Sequence, residues 1–131
     1  MDPKDACTMN TLLWILQVVL ALFFAMAGVT KLSQPKDKLH EKLPWVEDFS
    51  AGTVKFIGAV ELLGAIGLVL PAVTGIAVVL TPLAAAGLAL TMALAAVVHV
   101  RRGEAQALAI NLPVLLVAAF VAWQRFGPQA F

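Results

Sequence analysis

Long apolar runs separated by short polar stretches dominate the pattern of hydrophobic and polar positions along this chain. Four runs each hold about 20 mostly apolar residues, the length that an α-helix needs to cross the hydrocarbon core of a bilayer. They cover approximately residues 9–30, 53–70, 75–98 and 105–124. The pattern predicts an all-α integral membrane protein, a four-helix up-down bundle formed by one domain over residues 1–131.

Most connections between these spans are short. Pro71 and Gly75 predict a tight hairpin between the second and third spans, and residues 99–104 join the third span to the fourth. Short connections make consecutive helices antiparallel neighbours. Pro82 and Pro113 fall inside the third and fourth spans, where a proline removes a backbone hydrogen bond and is expected to kink the helix.

The one long connection, residues 31–52, has an amphipathic pattern. Its apolar residues recur at spacings of three or four, with charged residues between them: Leu39, Leu43, Val46 and Phe49. Pro44 interrupts the repeat and is expected to open a second short turn. The pattern predicts an interfacial amphipathic segment between the first two spans, lying on the lipid headgroups or capping the bundle. An irregular loop with a chance periodicity is the alternative.

Composition supports the membrane interpretation and excludes several classes of site. Hydrophobic residues make up 61% of the 131 residues and charged residues 13%, against roughly 25% charged in soluble domains. A net charge of +1 offers no basic field for a nucleic acid. Cys7 is the only cysteine, which excludes a CxxC pair within these residues. No spacing predicts a catalytic arrangement or a metal site, so enzyme activity and cofactors stay open.

The distribution of positive charge predicts the orientation of the chain in the membrane. Seven of the nine Lys and Arg residues lie on the side of the two connections 31–52 and 99–104: Lys31, Lys36, Lys38, Lys42, Lys55, Arg101 and Arg102. Such residues accumulate on the cytoplasmic side of membrane proteins. We therefore expect both connections in the cytoplasm and both termini outside it, in a bacterial-type cell membrane.

A signal peptide is a competing interpretation of the first span. Residues 25–27, Ala-Met-Ala, follow an apolar run and resemble a signal-peptidase site. Asp2 and Asp5 precede that run with only Lys4 to balance them. Because a signal peptide needs net positive charge before its apolar run, the sequence favours an uncleaved first helix.

Glu61 is the strongest candidate for a functional residue, because it falls near the middle of the second span. A charge at this depth costs about 2.5–3.5 kcal/mol on insertion scales. Gly58, Gly64 and Ala65 lie on the same helix face, so a neighbouring helix or a ligand can come close. Two interpretations follow: Glu61 binds a ligand or a proton, or it only fastens two helices together.

Other polar residues concentrate at the same side of the membrane as the long connection: Lys31, Lys55, His99, Arg101 and Asn111. They predict a polar vestibule in the cytoplasmic half, closed at its outer end by packed apolar side chains. Each also has a purely structural interpretation. Lysine at a span end commonly snorkels to the interface, a histidine there is commonly interfacial, and an asparagine can bond across helices.

Three stretches of the sequence resemble the DoxX-like family, over approximately residues 10–124. Residues 27–32, AGVTKL, are similar to the end of that family's first helix. Residues 55–68, KFIGAVELLGAIGL, resemble its second-helix motif, with Glu61 in place. His99 with Arg101, and then residues 111–113, NLP, are similar to the end of its third helix and the start of its fourth.

The resemblance implies four membrane helices, a lipid-embedded location and a polar cluster. By position, its candidate ligand-binding residues are Lys31, Glu61, His99, Arg101 and Asn111. Members resemble a quinone-reducing subunit, take part in redox-stress complexes or act as an assembly chaperone, so the family alone does not select a role.

Two hypotheses follow for the function. In the first, the protein binds a small amphipathic ligand such as a quinone, as the membrane subunit of a redox-linked system that receives electrons from a protein partner. In the second, it is an assembly or chaperone-type protein that acts through helix–helix contacts with a partner or a second copy. Transport of a small solute or a proton is a third hypothesis. It is favoured less, because four short helices leave little room for alternating access, although a homo-oligomer would provide more. None involves a nucleic acid.

Overall fold

The computed structural model of the protein describes residues 2–131, and helices make up most of that range. In chain order these are α1 (Pro3–Ser33), α2 (Lys36–Lys42), a 3₁₀ helix (Pro44–Asp48), α3 (Ala51–Thr74), α4 (Leu80–Arg102) and α5 (Ala105–Phe126). Four of them, α1, α3, α4 and α5, are long and apolar enough to cross a membrane. The predicted all-α fold with four membrane-spanning helices is confirmed.

The four long helices close into a ring. Helix α1 packs along α3, α3 along α4, α4 along α5, and α5 returns to touch α1. Their buried faces share one apolar core, which includes Phe24, Leu68, Leu88 and Val121. Their outer faces expose large apolar side chains, for example Leu63. Because lipid covers apolar surface as readily as a protein core does, these outer faces are in contact with the bilayer.

Local sequence signals set the ends of the helices. The side chains of Asp2 and Ser50 accept backbone N–H groups in the first turns of α1 and α3, which satisfies donors that have no partner within the helix. Gly75 and Gly103 end α3 and α4 in the left-handed conformation, with φ of 73° and 70°, which glycine adopts without steric cost. We call the end with the α1–α3 and α4–α5 connections the loop end, and the opposite one the terminal end.

The prediction that Pro71 lies in the connection between the second and third spans is wrong. Helix α3 continues through Pro71 to Thr74. Proline has no N–H, so the carbonyl of Gly67, four residues earlier, loses its helical donor. The hydroxyl of Thr81 on α4 donates to that carbonyl at 2.9 Å. A neighbouring helix therefore supplies the missing hydrogen bond, and the helix need not end.

The other two prolines in the spans have different surroundings. Pro82 lies in the first turn of α4, where backbone N–H groups have no partner within the helix, so the kink expected there does not follow. Pro113 lies inside α5, as predicted. The α4 helix also continues through His99 to Arg102, which reduces the connection to α5 to Gly103 and Glu104.

The amphipathic connection folds back on the loop end of the bundle. Leu39 of α2 and Val46 of the 3₁₀ helix are buried together with Val54 of α3. The rings of Trp45 and Phe49 pack edge to face with centroids 5.7 Å apart. The repeat of apolar residues predicted from the sequence therefore forms a small second core, which lies beside the first turns of α3.

Candidate functional site

An ion pair between Lys31 and Glu61 joins α1 to α3. Lys31 Nζ lies 2.6 Å from Glu61 Oε1, and the two side chains are 10% and 2% exposed. Glu61 lies about 15 Å along α3 from its first residue, at 1.5 Å per residue. Helical side chains lean toward the N-terminus of their own helix. Lys31, in the last turn of α1, therefore leans into the membrane while Glu61 leans toward the loop end, and the two meet.

Close approach of α1 and α3 makes this pair possible. A Cβ added at Gly28 would lie 2.6 Å from the carbonyl oxygen of Gly58, and one added at Gly58 would lie 2.7 Å from the Cβ of Lys31. Neither position has room for a side chain. Gly58, which the sequence analysis placed beside Glu61, thus allows the backbone of α1 to come within reach of the carboxylate.

Trp45 covers the ion pair from the loop end. Lys31 Nζ lies 5.7 Å from the centroid of the Trp45 ring, within the range of a cation–π interaction. Lys55 Nζ donates to the carbonyl oxygen of Leu32 at 2.9 Å, which ties the last turn of α1 to the first turns of α3. The 3₁₀ helix that carries Trp45 therefore places an aromatic ring within interaction range of the Lys31 ammonium.

Arg102 fastens this 3₁₀ helix to α4, a role that the sequence analysis missed. Arg102 Nη1 donates to Asp48 Oδ2 at 2.7 Å, and Nη2 donates to Glu47 Oε1 at 2.9 Å. Its Nε lies 3.3 Å from Glu104 Oε2. The sequence did contain a signal for this contact. Glu47 and Asp48 lie in one loop-end connection, Arg101 and Arg102 lie at the other, and the predicted orientation puts both connections on one side of the membrane.

Two histidines extend the same charged cluster. His40 Nε2 lies 2.8 Å from Glu47 Oε2, and His99 Nδ1 lies 3.0 Å from Glu104 Oε1. The hydrogen bond with His40, reinforced by Arg102, lowers the pKa of Glu47. The hydrogen bond with His99 likewise lowers the pKa of Glu104. Both carboxylates are stabilised as anions, which keeps the 3₁₀ helix bound to the α4–α5 turn.

Asn111 is buried in α5 with one of its polar atoms unsatisfied. Its Nδ2 donates to Met92 Sδ at 3.1 Å, whereas Oδ1 has no hydrogen-bond partner in the described part of the chain. Gly64 of α3 packs against Leu88 of α4. Glu61 and Met92 each lie one helical turn from that contact, toward the loop end. Glu61 and the Asn111–Met92 pair are therefore at a similar depth, within about one turn, or 5 Å.

The five predicted site residues fall into three groups. Lys31 and Glu61 bond to each other directly, and Asn111 lies at a similar depth. His99 is held in the charged cluster at the α4–α5 turn. Arg101 is exposed, and it makes no hydrogen bond or ion pair within residues 2–131. The structure thus brings Lys31 and Glu61 into contact and leaves His99 and Arg101 nearer the surface.

A second polar cluster is buried at the terminal end. Arg125 Nε donates to Gln17 Oε1 at 2.8 Å, and Arg125 Nη1 donates to Asn10 Oδ1 at 2.9 Å. Gln17 Nε2 donates in turn to the carbonyl oxygen of Leu68 at 2.7 Å. The sequence predicts apolar packing at the outer end of the loop-end vestibule, and it did not predict this polar cluster, which lies on the far side of the apolar core from Glu61. Sequence position suggested a charge just beyond the fourth span, but α5 continues to Phe126 and turns Arg125 inward.

Comparison of the sequence with known protein families agrees with a fold of four membrane-spanning helices. The model of the DoxX-like family matches residues 15–121, a range that includes all five predicted site residues and ends before Arg125. No curated protein and no solved structure matches the chain. Because the family match extends over more than half of the sequence and coincides with four helices able to span a membrane, this protein belongs to the DoxX-like family.

Proposed function

We propose that the protein is the membrane subunit of a redox-linked system and binds a small amphipathic ligand with a quinone-type headgroup beside Lys31 and Glu61. One observation carries the proposal. A buried Lys31–Glu61 ion pair, with its atoms 2.6 Å apart, lies within about one helical turn of the depth of Asn111 Oδ1, which has no hydrogen-bond donor in residues 2–131. An ionisable residue at this depth is by default a candidate functional site.

The chemistry of a quinone matches these three groups. The carbonyl oxygens of the oxidised headgroup accept hydrogen bonds, and the ammonium of Lys31 can donate one. Reduction adds two electrons and two protons and converts each carbonyl to a hydroxyl, which donates. Glu61 and Asn111 Oδ1 are acceptors for those hydroxyls, and the Glu61 carboxylate can also exchange a proton. The two electrons come from a protein partner, and the two protons come from the aqueous phase at the loop end, taken up and passed on one at a time by the Glu61 carboxylate.

Access to the pair depends on the 3₁₀ helix. Glu61 is 1% exposed, so a ligand reaches it only when a neighbouring group moves. Trp45 is the ring that lies over Lys31, and Arg102 holds its helix in place through Glu47 and Asp48. In the proposed function a headgroup takes the space beside Lys31, and the apolar tail of the ligand lies in the surrounding bilayer.

The distribution of positive charge also predicts which side of the membrane the ligand site faces. Seven of the nine Lys and Arg residues lie toward the loop end, and such residues accumulate on the cytoplasmic side. The ligand site therefore faces the cytoplasmic half of a bacterial-type cell membrane, and both termini lie on the other side. Accessibility of single engineered cysteines at Lys38 and Gln129 to an impermeant thiol reagent, in a Cys7→Ser background and in intact cells, tests this assignment.

The experiment that tests the ligand site measures thermal unfolding of the purified protein in maltoside micelles. We expect short-chain benzoquinone and naphthoquinone analogues to raise the melting temperature of the wild type. Glu61→Gln keeps the shape of the side chain and removes its charge, so we expect it to fold with wild-type helix content and to lose the response. Glu41→Gln, which removes an exposed carboxylate at the same end of the bundle, should keep it.

A wild-type protein whose melting temperature no quinone analogue changes would end this proposal. Crosslinking in native membranes distinguishes the alternative hypothesis. A single dominant protein partner, recovered together with no quinone response, would favour an assembly protein that acts through helix–helix contacts. A Glu61→Gln variant that fully complements a deletion would leave Glu61 as a packing residue.

A further inference from the structure

The terminal end of the bundle contains a strong hydrogen-bond donor without an acceptor. Arg125 is 3% exposed, and its Nη2 is buried with no hydrogen-bond partner in residues 2–131. The other two nitrogens are bonded to Gln17, to Asn10 and to the carbonyl oxygen of Gln129, which lies 3.0 Å from Nη1. All three acceptors are neutral, and no described Asp or Glu side chain forms an ion pair with Arg125.

Aromatic rings compensate only part of this charge. Arg125 Cζ lies 4.1 Å from the ring centroid of Phe131 and 6.0 Å from that of Trp14, so both rings stabilise the cation through their faces. A guanidinium, however, presents its N–H groups in its own plane. Ring faces do not accept those in-plane hydrogen bonds, and the Nη2 donor therefore stays unmatched.

A buried cation with an unpaired N–H group destabilises the folded protein unless an anion binds beside it. Charges inside membrane proteins are paired, or they mark a ligand site. The planar fork of arginine matches the geometry of a phosphate and forms short, charge-assisted hydrogen bonds with it. Lys31 at the loop end has its anion, Glu61, within the chain. Arg125 has none in residues 2–131, so we look for its counter-ion among anions outside that range.

The depth of Arg125 in the membrane indicates which anion is available. Arg125 lies in the last turn of α5, next to Trp123 and under the ring of Trp14. Tryptophan side chains favour the interface between hydrocarbon and headgroups. At that depth the abundant anion is the phosphate of a phospholipid headgroup. Gln124 in the same turn also has a buried Oε1 that no described residue bonds, an acceptor for a headgroup hydroxyl.

We propose that Arg125, supported by Gln17 and Asn10, is a binding site for a phosphate oxyanion at the terminal end of the bundle. The Nη2 group donates to the phosphate, while the bonds to the two amides hold the guanidinium in a fixed orientation. Phe131 covers the site, so the residues after α5 move aside when a headgroup enters. This site is independent of the ligand proposed beside Glu61. Arg125 and Asn10 lie outside the residues 15–121 that the family model matches, and Gln17 lies within them.

Thermal unfolding in maltoside micelles and phosphate-free buffer tests the site with three probes. These are a short-chain phosphatidylglycerol, a diacylglycerol of the same chain length without phosphate, and inorganic phosphate. We expect phosphatidylglycerol to raise the melting temperature of the wild type by several degrees and diacylglycerol to leave it unchanged. Arg125→Gln should lose the rise. Lys4→Gln, which removes one exposed positive charge at the same end, should keep it.

The remaining outcomes separate the sources of the phosphate. A rise of equal size with inorganic phosphate alone supports the oxyanion site and makes free phosphate its ligand. An undiminished rise in Arg125→Gln, or an equal rise with diacylglycerol, overturns the proposal. If Arg125→Gln does not fold, native mass spectrometry of the wild type decides. Preferential retention of one phosphatidylglycerol over the diacylglycerol supports the site, and equal retention overturns it.

Discussion

The two ends of the bundle each bury a cation in the last turn of a membrane-spanning helix, and they neutralise it in different ways. Lys31 at the loop end meets Glu61 of a neighbouring helix at 2.6 Å. Arg125 at the terminal end meets the neutral amides of Gln17 and Asn10. We call the cation at the loop end closed, because its anion lies within the chain. We call the one at the terminal end open, because Nη2 of Arg125 has no acceptor in residues 2–131.

Local features do not explain this difference, because the two cations are locally alike. Both lie at the C-terminus of a helix, where the helix dipole favours positive charge. Both lie near aromatic rings, Trp45 for Lys31 and Phe131 for Arg125. The two cations differ because the helix beside Lys31 carries the carboxylate of Glu61, whereas no described Asp or Glu side chain pairs with Arg125. A cation at a helix end is thus a closed or an open site according to its neighbour in space.

The largest expected effect tests this difference in charge compensation. Lys31→Met leaves the Glu61 carboxylate buried without a cation, and removal of one partner from a buried pair costs about 3–5 kcal/mol. Arg125→Met leaves only neutral amides, whose lost hydrogen bonds cost about 1–3 kcal/mol. Reversible unfolding by SDS in mixed micelles measures both losses in the free energy of unfolding.

The double variant Lys31→Met/Glu61→Met is the control for this experiment. It removes both charges, so we expect it to recover most of the stability that Lys31→Met loses. Equal losses in the two single variants, or a double variant as unstable as Lys31→Met, would contradict the view that the loop end holds a closed pair.

A smaller effect is expected from the helix contact that brings the closed pair together. Gly28→Ala places a Cβ 2.6 Å from the Gly58 carbonyl oxygen, so α1 must move away from α3 at a cost of about 1–3 kcal/mol. The same unfolding measurement provides the test. In the matched control, Gly87→Ala, the added Cβ has nothing within 4 Å. We expect it to be neutral or to stabilise α4 by about 0.5–1 kcal/mol. Similar losses in both would argue against a tight α1–α3 contact.

The smallest expected effect is a pH dependence confined to the loop end. Hydrogen bonds lower the pKa of Glu47 and Glu104 below the ordinary value of 4.5. These bonds therefore contribute stability that is fully present above pH 4.5 and is lost as the pH falls through the lower folded pKa values. Hydrogen exchange in residues 36–49 should accelerate in that acid range.

Two comparisons test whether Glu47 and Glu104 cause this pH dependence. The double variant Glu47→Gln/Glu104→Gln should exchange faster in residues 36–49 already at neutral pH and show a weaker acid dependence. The cluster of Arg125, Gln17 and Asn10 contains no carboxyl group, so exchange in the last two turns of α5 should change little over the same range. An equal acceleration at both ends would assign the effect to the bundle as a whole.

The membrane architecture and the family could both be recognised from the order of residues along the chain. Hydrophobic runs long enough to cross a bilayer are a property of consecutive residues, and α1, α3, α4 and α5 formed where those runs occur. The candidate Glu61 could also be recognised, because a carboxylate in an apolar run is costly wherever the helix lies. The glycines beside it indicated close helix contact for the same local reason.

The partners of the buried polar groups, by contrast, become visible in the packed helices alone. Lys31 and Glu61 are 30 residues apart in the chain, and Arg125 and Gln17 are 108 apart. Pro71 lies inside a helix, and Thr81 of the next helix donates to the carbonyl that it leaves free. These pairings depend on how far each helix is rotated and how deep it lies beside its neighbour. Rotation and depth come from the packing of all four helices together, whereas hydrophobicity and helix length are encoded residue by residue.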